Sequence, residues 1–258
     1  MLIDVSHREN IKIHTKDEYL NLYNKCVNYL KEINTISSII LCGSLAKNDI
    51  VEGWSDIDIV IFTSSAPDIC FLQKFKSAME NAKEGFCIPL GMDIVFDEEF
   101  KNSNRFSGRP LMMTYEVATY GILSYGKDYL SPLKYDNIAM NLVNIERKKL
   151  IAAEMHSWRR QYINNTYNIS NTFFNTTKAL LRILQTEVGP NLELPINNQR
   201  NLERFKIKYG NHPSVETLEK AVFIRKNWQH YVSNPTEMEV EIETLSEALT
   251  TYPVFYAE

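Results

Sequence analysis

Hydrophobic positions in the first half of the chain follow two patterns, a helical period and the short apolar runs typical of buried strands. The helical period predicts helices over residues 15–33 and 68–82, and a further helix that begins at residue 115. The apolar, β-branched runs predict strands over residues 37–42, 56–62, 92–96 and 122–124. A helix start is expected after Gly43, and the stretch 102–110, rich in Asn, Ser and Gly, is expected to form a loop.

The second half of the chain carries almost only helical patterning. Helices are predicted over residues 140–167, 171–186, 200–209, 215–228 and 237–249, with Pro-containing breaks between several of them. We therefore predict an α+β protein with two domains. Residues 1–132 would form a small mixed sheet flanked by helices, and residues 133–258 would form an all-α helical bundle that binds the substrate.

Three acidic residues stand on the predicted strands of the first domain. Asp56 and Asp58 are two residues apart, so in a strand both side chains project from the same face while the intervening Ile57 points the other way. Carboxylates placed side by side repel each other unless a cation lies between them, and Mg²⁺ prefers such oxygen ligands together with phosphates. Asp93, on a later strand, can supply a third carboxylate. The pattern predicts a site for two Mg²⁺ ions.

A Gly-Ser pair stands at the turn between the first strand and the short helix that follows. Gly43 would let the backbone approach a phosphate, and the N–H groups of the helix start would attract the anion. The hydroxyl of Ser44 can add a hydrogen bond. Lys47, one turn later, is a candidate phosphate ligand or a solvated lysine. Lys178, on a helix of the second half, is a candidate ligand for the triphosphate or again a solvated residue.

Each of these features also has an ordinary structural interpretation. Gly-Ser pairs are common, an Asp-x-Asp sequence occurs by chance in many loops, and one of the two aspartates could cap the turn after Trp54 and Ser55. Charges in apolar strands are costly without partners, however, and three of them occur here in a fixed order with the Gly-Ser turn. The combination favours a catalytic site.

Bulk composition narrows the classes of partner. The 258 residues carry a formal net charge of −4, which argues against a broad nucleic-acid surface and suits a cationic small molecule or an ordinary cytosolic protein. No apolar run is long enough for a membrane span, and residues 1–10 lack the apolar core of a signal peptide. The four cysteines form no CxxC pair. We expect a cytoplasmic protein with reduced thiols.

The motifs Gly43-Ser44, Asp56-Ile57-Asp58 and Asp93 resemble the signature of the DNA polymerase β-like nucleotidyltransferase superfamily. The apolar run that ends in Tyr125-Gly126 also resembles the strand that often closes this domain. The two-domain plan is similar to that of bacterial aminoglycoside adenylyltransferases of the streptomycin/spectinomycin type. Their central C-terminal helix is loosely similar to residues 172–186, although their drug-binding residues cannot be matched one by one.

This resemblance implies an enzyme that uses Mg²⁺ and transfers AMP from ATP to a hydroxyl of a small molecule, an aminoglycoside antibiotic being one candidate. Asp93 would be the base for the attacking hydroxyl. Two alternatives stay open: a protein AMP-transferase of toxin–antitoxin type, and a nucleotide-binding sensor without catalytic activity. A role in antibiotic resistance follows only from the first interpretation.

Overall fold

The computed structural model describes residues 13–106, 108–133, 136–164, 169–187, 194, 196–210 and 212–251. The described residues divide into two compact units, one that ends at Ala139 and one that begins at Met140. The first unit contains the sheet and the second is helical, which confirms the predicted α+β class. The domain boundary near residue 132 and the substrate-binding role of the second half remain predictions.

The first unit is built on one mixed sheet of four strands. The strands are β1 (Ile36–Cys42), β2 (Ile57–Thr63), β3 (Leu90–Phe96) and β4 (Ile122–Gly126), in the spatial order β3-β2-β1-β4. Strand β1 runs antiparallel to both β2 and β4, whereas β2 and β3 are parallel. The start of β2 therefore lies beside the end of β1, where the Gly-Ser turn begins.

Helices cover both faces of this sheet. They are α1 (Lys16–Leu30), α2 (Gly43–Ala46), α3 (Ile69–Lys83), α4 (Asp97–Ser103) and α5 (Leu111–Tyr120). Helix α1 starts at a reciprocal capping box of Thr15 and Glu18, and α3 starts where Asp68 accepts a hydrogen bond from the Phe71 N–H. The starts of both helices are thus specified by residues next to them in the chain.

The alternation of side chains along β2 separates two hydrophobic cores. Ile57, Ile59 and Ile61 pack into the core formed with α1 and α3. Val60 and Phe62 point the other way, into a core that includes residues from α4, α5 and the loop between them. Asp58 belongs to the second face by the same alternation.

Two details differ from the sequence prediction. Helix α4 was not expected, because its seven residues bury only Asp97 and Phe100 and are too few to show a helical period. Strand β2 begins at Ile57, so Asp56 lies immediately before the strand and outside it.

The second unit is a set of packed helices, α6 (Asn137–Asn164), α7 (Ile169–Thr186), α8 (Asn198–Tyr209), α9 (Ser214–Lys226), α10 (Trp228–Ser233) and α11 (Pro235–Thr251). Helix α7 is buried along most of its length and contacts α8, α9 and α11. Trp158 of α6 donates a hydrogen bond to Thr176 of α7 over 3.2 Å. The helix expected over residues 215–228 ends at Lys226, and the Pro-containing breaks at 189–190 and 194–195 lie at least partly outside the described residues.

Among the helices of the described residues, none combines the length and the hydropathy that crossing a bilayer requires.

Candidate active site

The turn from β1 into α2 brings the backbone against a carboxylate. Gly43 has a φ of +66°, a left-handed conformation that glycine adopts without steric cost. A Cβ at this position would lie 2.9 Å from Cγ of Asp58 and would overlap its Oδ2. Only glycine fits here, for both reasons.

Ser44 is the second residue of the single turn of α2. Its Oγ is buried and has no hydrogen-bond partner among the described residues. Cys42, at the N-cap position of α2, supplies no side-chain hydrogen bond to the turn. A buried hydroxyl without a partner is unfavourable, so a polar ligand that contacts Oγ would be stabilised.

The two aspartates of the Asp-x-Asp motif are positioned by a tight turn and by the strand register. The Ser55 N–H donates to the Val51 carbonyl over 2.9 Å, and the Ser55 hydroxyl accepts from the Val51 N–H over 2.9 Å. Asp56, which is half-buried, follows this turn and lies directly before the start of β2. Asp58 then pairs with Cys42 across β1, directly before the Gly-Ser turn.

A second glycine borders the Asp58 carboxylate on the side of β3. Gly91 pairs with Asp58 in the parallel register, and a Cβ there would lie 3.6 Å from Cγ of Asp58 and would overlap Oδ1. Asp58 is therefore enclosed between Gly43 and Gly91. Sequence reasoning missed Gly91, since nothing in the spacing says that residue 91 faces residue 58.

Asp93 lies on the same face of the sheet as Asp58. It pairs with Val60 in the register of β2 and β3, two positions along from Asp58, and its side chain is 18% exposed. Its Oδ1 accepts a hydrogen bond from Nε of Arg109 over 2.9 Å and a second one from Nη2 of the same guanidinium. Arg109 was not a candidate from the sequence, where it is one basic residue at the end of a polar loop.

Lys47 lies at the end of α2 and pairs with an acidic residue from α5. Its Nζ contacts Oε1 of Glu116, and it lies 5.7 Å from the centroid of the Tyr120 ring. The Lys47 side chain is 10% exposed, so its charge is poorly solvated, and the pairing with Glu116 compensates for part of that loss. Glu116 also could not be identified as a site residue from the sequence, because no motif surrounds it on its helix.

Several charged side chains of the site influence the thiol of Cys42 at the end of β1. Burial raises the pKa of the Cys42 thiol well above its ordinary value. The carboxylates of Asp58, Glu116 and Asp93 raise this pKa further. The positive charge of Lys47 lowers it. The end of β1 therefore lies in a negative field, which would attract a cation.

The residues around Asp58 suit Mg²⁺ only in part. Among the described side chains, no group of three or more His, Cys, Asp or Glu residues is arranged to hold a metal ion by itself. Mg²⁺ in nucleotide-binding sites is commonly held by one or two carboxylates, with phosphates and water completing its shell. Asp56 and Asp58 fit that smaller ligand set, and the Ser44 hydroxyl, which has no partner among the described residues, suits a phosphate. Asp93, in contrast, is engaged by Arg109.

Lys178, the remaining candidate, lies on α7 in the helical unit. It is half-buried, and its Nζ lies 5.4 Å from the centroid of the Phe174 ring. Its proposed contact with a triphosphate stays a prediction.

Part of the chain is similar to a known family of domains. Residues 23–112 match the family model described as a nucleotidyltransferase domain, a range that includes Gly43, Asp58, Asp93 and Arg109. This part of the chain is similar to nucleotidyltransferase domains, and the match supports a transferase. No curated protein sequence matches the chain.

Solved structures resemble the chain at low sequence identity. One is the spectinomycin adenyltransferase AAD(9) from Enterococcus faecialis with ATP and spectinomycin, which is 12% identical with a TM-score of 0.51 and aligns over 90% of this chain and 99% of its own. At this identity the likeness shows the fold alone.

Two further likenesses are weaker. One is a toxin–antitoxin complex with AMP-PNP, 18% identical over 54% of this chain and 97% of its own, with a TM-score of 0.30. The other is the tri-AMPylated Shewanella oneidensis HEPN toxin with its MNT antitoxin, 17% identical over 58% and 99%, with a TM-score of 0.28. At such TM-scores neither likeness bears on the function.

Proposed function

We propose that the protein transfers AMP from ATP to a hydroxyl of a small molecule, with the site around Asp58 as its catalytic centre. The observation that carries this proposal is the enclosure of the Asp58 carboxylate between Gly43 and Gly91. The hydroxyl of Ser44, the residue that follows Gly43 in the chain, has no partner in the described part of the chain and supports it. A carboxylate held against a phosphate-binding turn suits a nucleotide that arrives with its cation. The nucleotidyltransferase class of residues 23–112 is consistent with this arrangement.

In this proposal the Gly-Ser turn binds the phosphates and the carboxylates hold Mg²⁺. The Ser44 Oγ donates to a phosphate oxygen, and the open backbone at Gly43 allows that oxygen to approach closely. Asp56 and Asp58 are the Mg²⁺ ligands. When bound, Mg²⁺ neutralises charge on the triphosphate and on the pyrophosphate that leaves. A second ion would need Asp93 as a ligand, in competition with Arg109.

Asp93 is the proposed base for the acceptor. Its carboxylate takes the proton of the acceptor hydroxyl as the hydroxyl oxygen forms a bond to the α-phosphorus of ATP. The bond between the α-phosphorus and the oxygen that bridges to the β-phosphorus breaks, and pyrophosphate leaves. Alignment of the two substrates and neutralisation of charge would provide most of the acceleration.

The acceptor class is proposed from charge and fold. The net charge of −4 and the negative field at the end of β1 suit a cationic, hydroxyl-rich molecule, such as an aminoglycoside antibiotic. The helical residues 133–258 would bind that acceptor. Lys178 is proposed as a contact to the nucleotide from those helices.

The test is transfer of label from α-labelled ATP in the presence of Mg²⁺ to streptomycin, spectinomycin and other aminoglycosides. We expect a product heavier than the drug by one AMP unit, with equimolar pyrophosphate. Asp58→Asn should abolish this product, whereas Asp68→Asn, the same chemical change at the N-cap of α3, should leave it unchanged.

Three other outcomes of this assay would each change the conclusion. Absence of transfer to every aminoglycoside would overturn the antibiotic acceptor. Label on a protein in a cell lysate, with none on small molecules, would favour the protein AMP-transferase. Tight ATP binding without pyrophosphate release from any acceptor would favour the sensor.

A further inference from the structure

The ion pair between Arg109 and Asp93 is arranged to orient a carboxylate. Nε and Nη2 of Arg109 both donate to one oxygen of Asp93, Oδ1. Two adjacent donors from a planar guanidinium fix the direction of that oxygen more strongly than the single point charge of a lysine would. The second oxygen, Oδ2, takes no part in this ion pair.

The backbone that carries Arg109 is anchored on both sides. Phe106, three residues before it, is buried against Phe62 and Phe100, and its N–H donates to the Thr114 hydroxyl over 3.1 Å. The Arg109 N–H donates in turn to the Phe106 carbonyl over 3.1 Å. Helix α5 starts two residues after Arg109. These hydrogen bonds hold the backbone at Phe106 and at Arg109, the residue whose guanidinium contacts Asp93.

Stability alone does not account for this pair. The Arg109 side chain is 48% exposed, and ion pairs at this exposure contribute little to folding. Lys101 and Asp97 form an ion pair in the neighbouring α4. The hydroxyl of Tyr129 links Asp97 to Ser37 near the start of β1, whereas the Gly-Ser turn follows the end of β1. Arg109, in contrast, engages the one carboxylate of β3 that shares a face with Asp58.

We propose that Arg109 is a positioning residue for the transfer reaction, which holds Asp93 so that Oδ2 meets the acceptor hydroxyl. The inference rests on the proposed function, in which Asp93 is the base. A base whose direction is set before the substrate binds avoids reorientation during the reaction, and misplacement of about 1 Å can lower a rate about 100-fold. Arg109 would act through Asp93 and would not contact the nucleotide.

The kinetic test compares Arg109→Gln and Arg109→Lys with the wild type, using ATP and spectinomycin. Arg109→Gln should lower kcat by about 10- to 100-fold, with the KM for ATP unchanged, because the Gly-Ser turn is intact. The kcat of Arg109→Lys should lie between those of Arg109→Gln and the wild type. Lysine keeps the positive charge but lacks the two adjacent N–H donors of the guanidinium. Lys101→Gln, which removes a cation from α4, should behave as wild type.

A structural readout separates this proposal from the proposed function. Crystal structures of the wild type and of Arg109→Gln without ligands should show one orientation of the Asp93 carboxylate in the first and a rotated or multiple orientation in the second. An unchanged Asp93 in Arg109→Gln would overturn the proposal, whether or not spectinomycin is a substrate. A raised KM for ATP with normal kcat, or a loss of activity that follows the folded fraction, would overturn it as well.

Discussion

The carboxylate of Asp58 occupies the space into which a side chain at Gly43 would project. The two residues are 15 positions apart along the chain, and the antiparallel pairing of β1 with β2 brings them together, since Cys42 is the partner of Asp58 in that register. The absence of a side chain at residue 43 is thus a requirement of the acidic site as well as of the turn.

Gly43→Ala should therefore be damaging for two separable reasons. The left-handed backbone costs about 1–2 kcal/mol for any residue with a Cβ, and the new Cβ would displace the Asp58 carboxylate. Gly85→Ala is a matched control, because Gly85 has a φ of +83° and nothing within 4 Å of the added Cβ. Chemical unfolding and pyrophosphate release measure the two effects.

We expect both alanine variants to lose stability, and only Gly43→Ala to lose transfer activity per folded molecule. Equal activity in the two variants would show that the Asp58 carboxylate tolerates displacement, and would count against its catalytic role.

Asp58→Asn should abolish transfer while the protein stays folded. The amide keeps the size of the side chain and removes the charge that Mg²⁺ requires, and it also relieves repulsion from neighbouring carboxylates in the metal-free protein. Thermal melts in EDTA and pyrophosphate-release rates in Mg²⁺ report the two properties. A variant that melts much lower yet turns over normally per folded molecule would identify Asp58 as a structural residue.

The Lys47–Glu116 pair should show strong coupling in a double-mutant cycle. Both side chains are largely buried, at 10% and 22% exposure, so removing one partner leaves the other charge poorly solvated. We expect Lys47→Met and Glu116→Gln each to cost about 1–3 kcal/mol in the free energy of unfolding, and the double variant to cost less than their sum.

Urea unfolding of the wild type, the two single variants and the double variant gives the coupling energy between Lys47 and Glu116. We expect it at about 0.5–3 kcal/mol. Additive effects would mean that the pair does not form in solution. If Lys47 also contacts a phosphate, Lys47→Met should raise the KM for ATP, whereas Glu116→Gln should raise it less.

Stability should fall in alkaline solution through Cys26. Burial raises the pKa of the Cys26 thiol to about 11, above the value of about 8.5 for an exposed thiol. Below about pH 8.5 both states are protonated and the full stability is present. Above that pH the unfolded state loses its proton first, so the free energy of unfolding decreases until the folded thiol ionises near pH 11.

Urea unfolding at several pH values between 8 and 10.5 tests this expectation. Cys26→Ala should be less stable at every pH because it leaves a cavity, and its stability should decline less steeply with pH. Identical slopes in both proteins would show that Cys26 does not contribute to the alkaline loss of stability.

The amino-acid sequence alone was sufficient for most of the elements, although not for helix α4, and for part of the site. The strand that carries Asp58 and the capped start of α1 follow from local rules, namely side-chain alternation and the hydrogen bonds of Thr15 and Glu18. The Gly43-Ser44 turn and the Asp-x-Asp pattern are likewise contiguous, so their chemistry can be recognised without knowing how the chain folds.

The tertiary structure decided which distant residues meet. Gly91, Arg109 and Glu116 lie 33, 16 and 69 positions from their respective partners Asp58, Asp93 and Lys47. The register of β3 against β2, the anchored loop before α5 and the packing of α5 on the sheet create these contacts. No local pattern encodes them, because the energy of such a contact depends on strand pairing and burial that form only when segments far apart in sequence pack together.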